Sequence, residues 1–133
     1  MKRNLNIGLL ILRLNIGILM LMHGISKLVN GVSGIVHMLE DKGYPGFLAY
    51  GVYVGEVLAP LLIIAGFRTR IAAILFALNC IIAMLLAHPN DILRITKHGA
   101  WGVELLGLYL FCALVLVFTG GGKYAYSTSN RWD

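Results

Sequence analysis

Arg13 and Glu56 stand well inside long apolar runs, and ionised groups in such places are where chemistry is to be sought. A lone charge at the centre of a membrane-spanning helix costs ~3 kcal/mol, so it pairs with another or lines a polar cavity. Paired, the two would fix the protonation state of the carboxylate and could border a proton or quinone site. They could equally act as a clamp on helix register. A second set is His23, Lys27, His88 and Glu104. A histidine and a carboxylate at one depth could relay protons to a quinol headgroup, because imidazole titrates near neutral pH. The plainer alternative is an interfacial network that anchors helix ends, with Lys27 reaching outward. Haem ligation by His23 and His88 is the weaker reading, since two histidines at matching depth are necessary and far from sufficient. Cys80 and Cys112 lack a CxxC arrangement and suit apolar packing, so a redox role should not rest on these thiols; no metal site is expected. Asn79 reads as an interhelical hydrogen-bonding residue.

The elements that must carry these groups follow from composition. Of 133 residues, 59% are hydrophobic and 13% charged, with a mean hydropathy of +0.82. Soluble domains lie nearer ~45–50% apolar and ~25% charged. The apolar residues fall into four runs, 5–22, 47–67, 71–87 and 101–119, each about the ~20 residues needed to cross hydrocarbon. The expectation is one all-α integral membrane domain over residues 1–133. It is a four-helix transmembrane bundle with helices over about 4–30, 47–66, 70–88 and 100–119. Residues 33–42 have helical apolar spacing and form either a short amphipathic helix at the outer surface or a loop folded over the bundle mouth. Arg13 interrupts what would be a signal-peptide core, and no small-x-small cleavage site follows, so the first helix is expected to stay uncleaved. No phosphate-binding or dinucleotide glycine pattern is present, nor a basic tail suited to nucleic acid.

Depth can be counted at ~1.5 Å per residue from helix ends taken as flush with the inner boundary. That places Arg13 at ~12 Å and Glu56 at ~15 Å, level enough to pair, with His23, His88 and Glu104 at ~27, ~26 and ~22 Å. Arg13, Gly17, Met20, His23, Gly24 and Lys27 share about a third of the first helix's circumference and should face the interior. Gly8, Gly17 and Gly24 read as packing positions. Pro60 frees a carbonyl near Glu56, where a kink is expected. Lys2, Arg3, Arg68, Arg70, Lys123 and Arg131 fall on one side of the expected spans, against Lys42, Arg94 and Lys97 on the other. Positive charge marks the cytoplasm, so both termini should be inside. Tyr124, Tyr126 and Trp132 suit the inner headgroup region.

The segments Leu12-Arg13-Leu14, His23-Gly24-Ile25-Ser26-Lys27-Leu28, Gly55-Glu56 and Gly66-Phe67-Arg68-Thr69-Arg70-Ile71-Ala72-Ala73 come together in one order, with Glu104 beyond them. In this combination the chain resembles the DoxX family of small four-helix membrane proteins. It departs from the family at Ala59-Pro60, where many members carry a glycine pair. The resemblance implies a membrane partner in redox chemistry, for which the family is named through thiosulfate oxidation with quinone as acceptor. It also implies that Arg13, His23, Lys27, Glu56 and Glu104 are the polar family positions. The expected function is a bacterial inner-membrane subunit of a quinone-linked oxidoreductase system. His23, Glu104 and Glu56 would exchange protons, and Arg13, Lys27 and His88 would bind. The expected partners are the lipid bilayer, redox proteins and further copies of the chain. The rivals are a non-catalytic anchor or assembly subunit and a small-solute or proton transporter. The last would need oligomers, since four short helices without repeats make a poor alternating-access machine. The pattern names no substrate.

Overall fold

The computed structural model describes residues 4–133, so the expected charges Lys2 and Arg3 lie outside the described residues. The described chain is helical and contains no strand. Helix α1 (Leu5–Asn30) begins where the Asn4 side chain accepts the Ile7 amide at 3.2 Å, and it ends at Gly31. Gly31 takes a φ of 81°, which a residue without Cβ adopts freely, and its amide returns to the Lys27 carbonyl. Helix α2 (Ser33–Asp41) buries Leu39 beside Val32 and Ala49, with Val36, Tyr53 and Leu86 packed around them. It therefore caps one end of the molecule, and Lys42 Nζ donates to the last-turn carbonyl of Leu86 at 2.9 Å.

Helix α3 (Gly46–Ala65) is continuous but changes pitch along its length. It opens as a 3-10 stretch, Gly46–Gly51, passes through a π-helical turn at Val54–Leu58, and becomes regular over Ala59–Ala65. Pro60 explains the change. It has no N–H for the Glu56 carbonyl, and the chain widens so that the Ala59 amide reaches back to Val54. The expected kink is thus taken up as a π turn that carries Glu56. The helix closes on Gly66 at φ 73°, with the Phe67 amide bonded to Leu62 and the Gly66 amide to Ile63, the Schellman pattern.

Helices α4 (Thr69–Ala87) and α5 (Glu104–Thr119) pack along each other through small residues, among them Ala73, Ala77 and Ala113. Phe76 meets Tyr109 edge to face at 5.8 Å. Helix α1 packs on α3, α3 on α4, and α1 more lightly on α5. Helices α1, α3 and α4 are long and apolar enough to cross a membrane, while α5, at 16 residues, is shorter. It starts later than expected because Trp101 belongs to an ordered loop: its indole donates to Ile92 at 2.6 Å, and its ring lies against Gly107. Outside, Ile11, Ile18, Leu78, Ile82, Leu108 and Phe111 are exposed, while Arg13 and Glu56 are buried. Apolar outside with charge inside is the surface of a membrane protein.

The two ends differ. At the tail end the start of α1, the α3–α4 turn and residues 120–133 interlock: Lys123 N donates to Asn6 Oδ1 at 3.0 Å, Tyr126 N to Ala65 O and Ser127 N to Gly66 O at 3.1 Å, and Arg70 N to Trp132 O at 3.2 Å. The loop end holds α2, the start of α3 and residues 88–101.

Candidate functional site

Helix register decides which polar groups meet, and glycines set the register. A Cβ on Gly24 would overlap the Glu56 carbonyl, and one on Gly17 would collide with Ile64 and crowd the Pro60 carbonyl. These two positions let α1 and α3 touch backbone to backbone. Gly8 has no such neighbour and is not a packing position. Gly24 therefore lies level with Glu56, and Arg13, ~16 Å away along α1, lies beside the last turn of α3. The expected Arg13–Glu56 pair does not form. The flush helix ends assumed in counting depth are the cause, because α1 overhangs α3 and its first turns run beside the tail.

Arg13, 1% exposed, spends its guanidinium on backbone. Nε donates to Ile63 O, Nη2 to Ile64 O and Nη1 to Gly121 O, each at 2.9 Å. Ile64 O is a carbonyl that the end of α3 leaves without a helical partner, and Ile63 O also takes the Gly66 amide at 3.1 Å. Arg13 is thus a cap on α3 and a tie to the tail.

Glu56 pairs instead with Lys27, through Oε2 and Nζ. Its side chain is 9% exposed and that of Lys27 27%, so the pair sits at the edge of the apolar interior and Lys27 reaches it from the last turns of α1. Tyr53, one turn before Glu56, donates its hydroxyl to the Lys27 carbonyl at 3.1 Å. Gly55 is bare so that Asn79 of α4 can lie on it; the Asn79 amide makes no hydrogen bond to another helix among the described residues, contrary to expectation. Beyond Tyr53 opens a cavity of about 400 Å³ lined by Asn30, Val32, Val36, His37, Tyr50 and Tyr53. The rings of Tyr50 and Tyr53 are 6.3 Å apart. The arrangement offers a half-buried carboxylate–ammonium pair beside an open pocket of aromatic faces and hydrogen-bonding groups.

The other expected residues stand apart from this pair. His23 is exposed, although it was expected to face inward. At ~100° per residue it falls ~80° from the Arg13 direction, at the margin of the stripe. Glu104 is exposed in the first turn of α5, where a carboxylate suits the helix dipole, and it makes no ion pair with His23. His88 is exposed and turns to Asp91 at 3.4 Å, with Arg94 on the same carboxylate. Cys80 is buried and Cys112 partly so, both in the apolar core, and both are free thiols.

Residues that the sequence did not single out are Tyr53, Asn30 and Tyr50; His37 had no partner to mark it. Tyr53 carried a usable signal, since it precedes Glu56 by three residues and must share its face. The tail was also missed. Asp133 accepts from Ser127 Oγ and Asn130 N at 2.7 Å and from Arg68 Nη1 at 3.3 Å. Burial pushes its pKa up, but the Ser127 and Asn130 hydrogen bonds and the Arg68 charge outweigh that and hold it below the usual carboxylate value.

A profile of the DoxX family matches residues 8–89, which takes in Arg13, Lys27 and Glu56 and stops short of α5 and the tail. A protein of Bacillus subtilis (strain 168) named "Putative oxidoreductase CatD" is 36% identical over 85 residues. That stretch is 64% of this chain and 63% of the relative, so the chain spans less than two thirds of the relative's length. No solved structure matches.

Proposed function

Because the chain belongs to the DoxX family, we propose that it is the membrane subunit of an oxidoreductase system and receives a quinone headgroup beside the Lys27–Glu56 pair. The carrying observation is that this half-buried pair lies beside Tyr53, which bonds the Lys27 backbone carbonyl and also lines an aromatic cavity. The cavity, of about 400 Å³, is open to the outside, with Asn30, His37 and Tyr50 exposed along it. Tyr50 and Tyr53 would stack on or donate to a flat ring, and Asn30 and His37 would address its carbonyl oxygens. Bound there, a quinone supplies two-electron, two-proton redox chemistry. Glu56 exchanges the proton, and the Lys27 ammonium holds the carboxylate in place and in charge balance. The exposed His23 and Glu104 pass protons toward water. His88, steadied by Asp91, and Arg13, which fixes α3, support binding from a distance. Electrons come through a redox partner protein. That a relative is named an oxidoreductase supports this reading.

In the same reading α5 is the fourth span of a four-helix bundle in a bacterial inner membrane. The tail end, with Arg68, Arg70, Lys123 and Arg131, faces the cytoplasm. The test is Glu56→Gln and Tyr53→Phe, assayed in membranes for quinone binding and quinone-linked electron transfer. Electron transfer in Glu56→Gln should fall ~100-fold, the scale of a lost general acid–base group. Wild-type turnover with helicity intact would end the reading. A non-catalytic assembly subunit is the second reading, favoured by Arg13, whose every hydrogen bond holds backbone. It requires Glu56→Gln to lower stability while the activity of the assembled system stays normal.

A further inference from the structure

The tail end holds a second cavity, of about 500 Å³, bounded by the start of α4, the end of α5 and the tail. Its wall carries three cations, Arg70, Lys123 and Arg131, with Ser127, Thr128 and Asn130 between them. The one acidic side chain there, that of Asp133, is committed: both its carboxylate oxygens are taken by Ser127, Asn130 and Arg68. Arg68 supplies the charge that offsets it, which leaves the three wall cations without a carboxylate partner among the described residues. Arg70 Nε is buried and has no acceptor among the described residues. Behind Gly121, which lies in the wall, the fully buried Thr69 hydroxyl is also without a partner, and a Cβ on Gly121 would come within 2.6 Å of it. Buried donors without acceptors are rare, and each calls for a ligand, a water or an ion.

We propose that this cavity binds a phosphate group of net negative charge, as distinct from a phosphate neutralised by its own choline. Guanidinium donors match phosphate oxygens in pairs, lysine adds a point charge, and hydroxyl and amide groups complete the coordination. The site lies where the apolar helices end, at Thr69 and Thr119, with the Tyr124, Tyr126 and Trp132 rings exposed around it. That is the level of phospholipid headgroups, and basic pockets between membrane helices take anionic headgroups. A soluble phosphate compound presents the same chemistry, so the experiment separates the two sources. The proposal is independent of the quinone reading, since the cavity is at the opposite end from Lys27 and Glu56.

The full chain, purified in detergent, is titrated with phosphatidylglycerol, with phosphatidylcholine and with inorganic phosphate. Retention is read by native mass spectrometry and the thermal unfolding midpoint by tryptophan fluorescence. Phosphatidylglycerol should be retained and should raise the midpoint, with phosphatidylcholine doing neither. Inorganic phosphate alone giving the shift would assign the site to a soluble phosphate compound. Arg70→Gln and Arg131→Gln should each weaken retention about tenfold, as expected for loss of a charge-assisted contact. Arg70→Lys keeps the charge but loses the buried Nε donor, and should fall between. Lys123→Gln, at an exposed position, guards against misfolding as the cause and should weaken binding with the midpoint of the lipid-free protein unchanged. Equal retention of both lipids with no response to phosphate, or binding unchanged in all four variants, overturns the proposal.

Discussion

Replacing Arg13 with glutamine should loosen the junction of α1, α3 and the tail without touching the pair around Glu56. Three carbonyls now receive the guanidinium. Ile63 O keeps the Gly66 amide at 3.1 Å, so the loss falls on Ile64 O and Gly121 O. A buried acceptor left without a donor costs about 1–3 kcal/mol, and the shorter glutamine amide can serve one of the two. Removing the guanidinium also removes its own desolvation penalty, which is partly offset by the void it leaves. The net destabilisation should therefore stay within about 1–3 kcal/mol, the cost of the one carbonyl left unserved. Arg13→Lys, with a single charged head in place of a planar fork, should recover less than half of it. The assay is reversible unfolding in mixed detergent, followed by helical circular dichroism, on a double-mutant cycle with Glu56→Gln. Arg13 and Glu56 share no partner, so their effects should add within about 0.5 kcal/mol. A coupling above about 1 kcal/mol would mean the two charges do meet, and would refute the register set by Gly17 and Gly24.

Three further outcomes follow from the same geometry. Gly24→Ala should destabilise by about 1–3 kcal/mol in the same unfolding assay, because its Cβ meets the backbone of Glu56, while Gly8→Ala, in open space, should be neutral or slightly stabilising. Lys27→Met alone should be more damaging than Lys27→Met combined with Glu56→Gln, since an unpaired buried carboxylate is worse than an uncharged amide; unfolding midpoints in the reverse order would argue against the pair. Asp133 titrates lower in the folded protein than unfolded, so its contribution is present above the unfolded pKa, near ~4, and disappears as pH falls through the folded value. Trp132 fluorescence, read with Trp101→Phe, should therefore report tail release only below about pH 4, and Asp133→Asn should abolish that step.

Helix existence was legible because apolar runs of membrane length leave few alternatives. Pro60 and Gly66 also spoke locally: one has no amide to give, and the other ends a helix by its positive φ. The pairing of charges was not legible by counting. Depth depends on how far one helix slides past another, and that slide is fixed by which glycine meets which backbone. Gly17 and Gly24 contained that information, but only with knowledge of their opposite numbers. His23 shows a different limit, since a stripe a third of a circle wide has margins and a residue at the margin faces outward. The tail's aromatic and basic residues could be placed, but its fold could not be read. Its fold rests on hydrogen bonds among Arg68, Ser127, Asn130 and Asp133, residues of no periodic pattern.

The two buried charges differ in task because they meet different parts of a helix. Arg13 lies beside the end of α3, where the Ile64 carbonyl has lost its helical partner, and a guanidinium with donors in a fixed fork fits it and Ile63 O at once. A carboxylate could not do this, having only acceptors. Glu56 lies on the widened turn ahead of Pro60, where the backbone has no donor to spare for it, and so its partner has to come from another helix. Lys27 is long enough to arrive from the end of α1 while part of it stays exposed. A rigid three-point tie holds the tail end, while the single ion pair of Lys27 and Glu56 joins α1 to α3 by charge at the loop end. The cavity beside Tyr53 is at that end.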